Sequence, residues 1–206
     1  MSERTWSPIT KSPSVAGFTL IELLVVMLVG AVLLASFTGF YVAQQRTFRR
    51  HQIEIETSQA LRTALEQISR DLRAAGRDPL GTAGAGITLA DGAEVDFTLD
   101  ANNDGAVGAS DPNETKKFRR NGSAIESYRA DQATPWTALA SYVSGAASVF
   151  SYRKCDGTLI ASLPASATDR AAIARIDITL TVTRSGGISL SRTETESVRL
   201  RNKACP

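Results

Sequence analysis

The chain is poor in the side chains that most catalysis uses. Its 206 residues include 1 histidine, 2 cysteines and only 6% aromatics. The lone histidine, His51, lies in a polar stretch and reads as a solvated surface residue, with no Ser/His/Asp set to be assembled around it. Paired carboxylates such as Asp71 and Asp78 have no companion motif, and no G-x-x-x-x-G-K-[ST] phosphate loop occurs. The expectation is a protein that is not an enzyme. No C-x-x-C or Cys/His spacing suggests a zinc site. Charge is nearly balanced, 23 Lys+Arg against 21 Asp+Glu. With no basic block, direct nucleic-acid binding is not expected.

One long apolar run stands out against this background. It extends from Gly17 to Val42; Leu23 to Val42 carries no charged side chain, and Glu22 sits just inside the N-terminal end of the longer stretch. At ~1.5 Å per residue a helix over the uncharged run spans roughly 30 Å, one bilayer hydrocarbon core. A lone carboxylate there is costly in lipid, so Glu22 is a functional candidate in search of a cationic partner. A secretory signal has a shorter apolar region and a small-residue cleavage site after it. Here the run is longer, and the small residues Val15-Ala16-Gly17 precede it.

The stretch Gly17-Phe18-Thr19-Leu20-Ile21-Glu22-Leu23-Leu24-Val25 resembles the prepilin cleavage motif of type IV pilins and type II secretion pseudopilins. The resemblance implies cleavage after Gly17 by a prepilin peptidase and N-methylation of Phe18. It also implies that Glu22 registers the subunit in a filament, where the α-amino group of a neighbouring Phe18 would supply its cation. Arg4 and Lys11, offset by Glu3, face Arg46, Arg49 and Arg50 across the run, so loop charge does not choose an orientation. The orientation follows from the resemblance: an inner-membrane single-pass protein with a periplasmic domain, passing later to a cell-surface pilus. Many pilins carry a proline near the position of Gly39; this chain does not.

Beyond Gln44 the helical pattern persists. Ile55, Leu61, Leu65, Ile68, Leu72 and Ala75 trace an apolar stripe, with Arg62, Glu66, Gln67, Arg70 and Arg73 off it. Gly76 is placed as a C-cap, and Asp78-Pro79 prevents continuation. The ending Arg70-Asp71-Leu72-Arg73-Ala74-Ala75-Gly76-Arg77-Asp78-Pro79 is similar to the helix end of PilW-type minor pilins, as is Gln44-Gln45-Arg46. The expected organisation is a leader at 1–17, a transmembrane or filament-core helix at 18–43, an amphipathic helix at 44–76 and a β-rich domain at 77–206. The expected fold class is α+β, a long N-terminal helix packed on an antiparallel β-sheet, as in pilins.

Within the β-rich part, strands are expected at Glu94–Leu99, Lys116–Arg120, Ala124–Arg129, Ser148–Arg153, Ile176–Val182 and Ile188–Leu200. Asn121-Gly122 marks a hairpin, and Ser185-Gly186-Gly187 another turn. Leu80–Gly86, Asp131–Thr137 and Leu159–Asp169 read as loops, Ala138–Ser144 as a short turn or helix, and Trp136 as a packing residue. Asp100-Ala-Asn102-Asn-Asp104-Gly105-Ala106, followed by Asp111, matches D-x-[DN]-x-[DN]-G with an acid at the twelfth position. Such oxygens around a tight glycine turn converge on a hard cation. The candidate calcium ligands are Asp100, Asn102, Asp104, the Ala106 carbonyl, and Asp111 or Glu114 to close the shell. The alternative is a polar turn that binds nothing. Cys155 and Cys205 are an even pair, which favours a disulfide in a translocated domain; the alternative is two buried thiols.

By resemblance, the function expected is that of a PilW-type minor pilin in pilus assembly and initiation. Its partners would be other minor and major pilins, the inner-membrane assembly platform and prepilin peptidase. The rivals are a type II secretion pseudopilin with the J role and a membrane-anchored calcium-binding module.

Overall fold

The computed structural model describes residues 17–108, 111, 113–130, 132–144, 149–184, 190–203 and 205. Residues 1–16 of the expected leader, the turn at 185–187 and positions 188 and 189 of the last expected strand lie outside the described residues, as do Asp131 and Ser148. One helix, α1 (Leu20–Ala74), is followed by β1 (Ile87–Ala90), β2 (Glu94–Thr98), β3 (Thr115–Asn121), β4 (Ala124–Tyr128), β5 (Trp136–Ser141) and β6 (Phe150–Lys154). A short helix α2 (Ala167–Ala172) then leads to β7 (Ile173–Arg184) and β8 (Leu190–Arg199). The chain divides into a unit at Met1–Arg49 and a unit at Arg50–Pro206.

In the first unit, α1 is apolar all round from Leu23 to Val42 and solvent-exposed along its described length, only Gly30 being half-buried. It is the one described helix long and apolar enough to cross a membrane. A helix without a polar face belongs in lipid or among other helices.

In the second unit the later part of α1 is amphipathic. Leu61, Leu65, Ile68, Leu72 and Ala75 are buried as the 4-3 spacing requires. Ile55, expected in the same stripe, is exposed; the buried face starts at Thr57. The helix ends where Gly76 takes φ +70°, a conformation that costs glycine little. Asn202 Nδ2 caps the end by donating to the carbonyls of Ala74 and Ala75 at 3.4 and 3.1 Å.

The strands form two antiparallel sheets, where a single one was expected. The first has order β1-β2-β3-β4-β5 and the second β6-β7-β8. Val95, Phe97, Phe118 and Ile125 from the first sheet share one core with Phe150, Tyr152, Ile176, Ile178 and Leu180 from the second and with the α1 stripe. The Asn121-Gly122 hairpin forms, with Gly122 at φ +58°. Two further departures concern β1 and β5. The region 131–144 contains a strand from Trp136 rather than a loop followed by a helical turn, because pairing with β4 overrides the weak strand propensity of its alanines. Trp136 packs edge-on to Tyr128, ring centroids 5.2 Å apart, under the Arg119 guanidinium at 3.7 Å. β1 had no counterpart in the sequence reading. In the stretch read as a loop at 159–169, Ser166 caps α2 by accepting the N–H of Asp169 at 3.1 Å.

Candidate functional site

The first candidate segment is the start of α1. Gly17, Phe18 and Thr19 precede the helix, and Phe18 is 83% exposed. The Thr19 hydroxyl accepts the backbone N–H of Glu22 at 3.3 Å, capping the helix, and the Leu23 N–H reaches the Thr19 carbonyl at 3.2 Å. Glu22 is therefore the third residue of the helix, near the partial positive charge of its N-terminus. Thr19-x-x-Glu22 is a capping-box pattern that sequence reasoning passed over, although both residues were in view. Gly17, the expected cleavage point, is exposed.

The second is the oxygen-rich loop between β2 and β3. It is built by side chains folding back on their own backbone. Asp100 accepts the N–H of Asn103 at 2.6 Å and of Gly105 at 3.1 Å, one on each carboxylate oxygen. Asn102 Oδ1 accepts the N–H of Asp104, and Asp104 Oδ1 that of Ala106, both at 2.9 Å. Gly105 takes φ +80°, and a Cβ there would meet the Thr82 hydroxyl at 2.5 Å. That hydroxyl donates to the Gly105 carbonyl at 2.9 Å, locking the loop against the segment 78–84. The segment is in turn organised by Asp78. Burial would raise the Asp78 carboxyl, but the backbone N–H groups of Ala83, Gly84, Gly81 and Thr82 outweigh it and hold it below its usual range.

Of the six expected calcium ligands, Asp100, Asp104 and Glu114 come together, one carboxylate oxygen from each lying within 4.8 Å of the others. Asp100 and Glu114 are buried at 0% and 1% exposure. Asn102 and Ala106 lie within the same turn, Ala106 contributing its N–H to Asp104. Asp111 is not in the cluster: its Oδ1 accepts the Asn113 N–H at 2.9 Å. Glu114, whose N–H donates to the Asp111 carbonyl at 3.2 Å, comes in instead, and its carboxylate oxygens accept the N–H groups of Ala101 and Gly108 at 3.4 and 2.8 Å. No Lys or Arg pairs with any of the three acids among the described residues. Two buried carboxylates beside a third, with no cation, are electrostatically expensive, and an all-oxygen donor set fits a hard divalent ion.

Cys155 and Cys205 are joined in a disulfide, Cα atoms 5.5 Å apart, closing a loop of sequence separation 50. The bridge fastens the C-terminal tail beside the end of β6. His51 is exposed on α1, 3.9 Å from Glu54.

Two family models match the chain. Residues 13–38 match the prokaryotic N-terminal methylation motif. Residues 50–200 match prepilin peptidase-dependent protein B. No curated protein matches. The two matches fall on the two candidate regions in turn: the first covers Gly17, Phe18 and Glu22, and the second the oxygen-rich loop and Cys155.

Proposed function

This chain belongs to the prepilin peptidase-dependent protein B family and is a type IV pilin-like protein, and from that premise we propose that it is a PilW-type minor pilin taking part in pilus assembly and initiation. The observation that carries the proposal is the pairing of a methylation motif with a helix exposed along its whole apolar length. Such a helix has no partner among the described residues of its own unit. Its membrane residence is a waiting state from which it moves into a bundle of like helices.

In this reading prepilin peptidase cuts after Gly17 and Phe18 becomes the methylated N-terminus. The protein is a substrate of that enzyme and has no catalysis of its own. Glu22 would then meet the new α-amino group of a neighbouring subunit, whose charge offsets the cost of burying a carboxylate in an apolar environment. Head-to-tail repetition makes open helical growth the expected symmetry. The second unit would lie in the periplasm before assembly and on the pilus surface after it, beside other minor and major pilins and the inner-membrane platform. Calcium would be held by Asp100, Asp104 and Glu114, replacing the N–H donors that now hold those oxygens as the loop adjusts.

Glu22→Ala tests the filament role. The proposal expects membrane insertion to survive and assembly of pili to be lost. A variant that assembles normally would leave a membrane-anchored module as the better description. Presence of the gene among pilus-priming or secretion genes separates a minor pilin from a type II secretion pseudopilin.

A further inference from the structure

Basic side chains on the second sheet are paired as a rule. Arg153 lies 2.8 Å from Asp177, Lys154 2.9 Å from Asp169, Arg192 2.8 Å from Glu194 and Arg184 3.9 Å from Glu56. Arg175 and Arg199 break the rule. They stand directly opposite each other on β7 and β8, both exposed. The Leu200 N–H donates to the Ala174 carbonyl at 3.0 Å, which makes 174 and 200 a hydrogen-bonded pair. Arg175 and Arg199 are therefore the adjacent, non-hydrogen-bonded pair, the register in which side chains come closest. Like charges set opposite in this way destabilise a sheet. Among the described residues neither guanidinium has an ion pair or a side-chain hydrogen bond. Asp177 is two residues along from Arg175, but its oxygens are taken by the Ser197 hydroxyl at 2.6 Å and by Arg153 at 2.8 Å.

A cavity of about 120 Å³ lies beside this pair. Arg175, Arg199 and Lys154 line it, and no carboxylate does among the described residues. Cys155 and Cys205 also line it, so the disulfide ties the turn after β6 to the C-terminal tail across its wall. Gly157, on the same wall, takes φ +85° and donates its N–H to the Lys154 carbonyl at 3.0 Å, closing the turn that carries Lys154. The volume is well below the ~300–1,000 Å³ of pockets for organic molecules and suits one small charged group.

We propose that Arg175, Arg199 and Lys154 form a binding site for a single phosphate group. A tetrahedral oxyanion between two opposed guanidiniums accepts N–H donors from both and turns their repulsion into a shared attraction. A carboxylate fits less well, because its two oxygens are satisfied by one guanidinium fork and leave the second uncompensated. The chain has no basic block, and it is the pairing of β7 with β8 that brings these arginines together. The phosphate is either a free ion or the end group of a monoester whose remainder projects from the exposed face. The site stands whether or not the minor-pilin reading does, since it rests on the second sheet alone.

The test is a calorimetric titration of the full-length chain in uncharged detergent micelles with inorganic phosphate, at constant ionic strength set by sodium chloride. Saturable binding of one phosphate per chain is expected. Arg175→Gln and Arg199→Gln should each weaken it by about tenfold or more, the equivalent of one charge-assisted hydrogen bond. Arg201→Gln, exposed in the turn after β8 and outside the cavity, should leave it unchanged. In phosphate-free buffer Arg199→Gln should melt no lower than the parent, because it removes a like-charge contact, so its loss of binding is not a loss of fold. Glycerol phosphate titrated in parallel identifies the source: equal affinity assigns the free ion, and tighter binding of the ester assigns the end group of a larger molecule. The proposal is overturned by no heat beyond that of chloride, by Arg175→Gln and Arg199→Gln variants that bind as the parent does, or by an Arg201→Gln variant weakened as much as they are.

Discussion

Two stretches of one helix make the instructive comparison. From Leu20 to Val42, α1 exposes Leu, Val, Met and Phe on every side; from Arg50 to Ala74 it buries a single stripe and leaves Arg62, Glu66, Arg70 and Arg73 outward. The secondary structure is the same and the backbone hydrogen bonds are the same. What differs is where the partner lies. The later stretch has its partner within its own unit, in the two sheets that complete its core. The earlier one has no such partner among the described residues of its unit, and a helix without a polar face belongs in lipid or among other helices. In the proposed reading, folding stability and assembly are therefore assigned to different residues, although one helix carries both.

Substitutions in the two stretches should separate cleanly. Ile68 has no exposed surface and packs in the core, so Ile68→Ala should cost about 2–5 kcal/mol in the unfolding free energy of the second unit. Leu33 is exposed, and Leu33→Ala should leave the melting of that unit unchanged. A Leu33 variant that lowers it as much as the Ile68 variant would break the comparison.

The disulfide sharpens it next. Replacing Cys155 and Cys205 by serine should destabilise the second unit by roughly 2–4 kcal/mol, read by denaturant titration, and leave insertion of the apolar stretch untouched. Under the proposed calcium reading, the metal would be a comparable lever on the same unit. At a concentration a hundredfold above its dissociation constant it should add about 2.7 kcal/mol, seen as a rise in melting temperature that Asp100→Ala removes. No rise on adding calcium would sink the metal reading while leaving the fold intact.

The smallest effect is a pH dependence. Burial alone would raise the Asp177 carboxyl, but the Ser197 hydroxyl at 2.6 Å and the Arg153 guanidinium at 2.8 Å outweigh it and hold it below its usual value. A depressed folded value means that the unfolded chain takes up its proton first. The stabilisation is present above about pH 4, the ordinary carboxylate value, and is lost as pH falls through the lower folded one. Asp177→Asn should flatten this acid limb in thermal melts between pH 5 and 2; an unchanged slope would remove Asp177 from the account.

Much of the architecture was legible because its signals are local. The uncharged run, the 4-3 spacing from Leu61 and the strict alternation of Ile176, Ile178, Leu180 and Val182 each report on neighbours a few residues away. The division into two sheets was not legible, since it depends on which distant strands pair. β5 was missed because alanines carry little strand signal and its pairing with β4 supplies the rest. β8 was found despite having Arg192, Glu194 and Glu196 on the half-buried side of its alternation, where an apolar signal would normally stand. At the oxygen-rich loop the residue types were readable, but the choice of Glu114 over Asp111 rests on backbone partners: Gly108 N–H donates to the Glu114 carboxylate, and Asn113 N–H to that of Asp111. The capping roles of Thr19 and Ser166 were written in the sequence and passed over beside stronger motifs.

The central claim is that the exposed stretch of α1 is released for assembly by cleavage after Gly17. Mass spectrometry of the mature chain from its native membrane tests it most directly. The account predicts an N-terminal Phe18 carrying a methyl group. A chain that still begins at Met1 would contradict it.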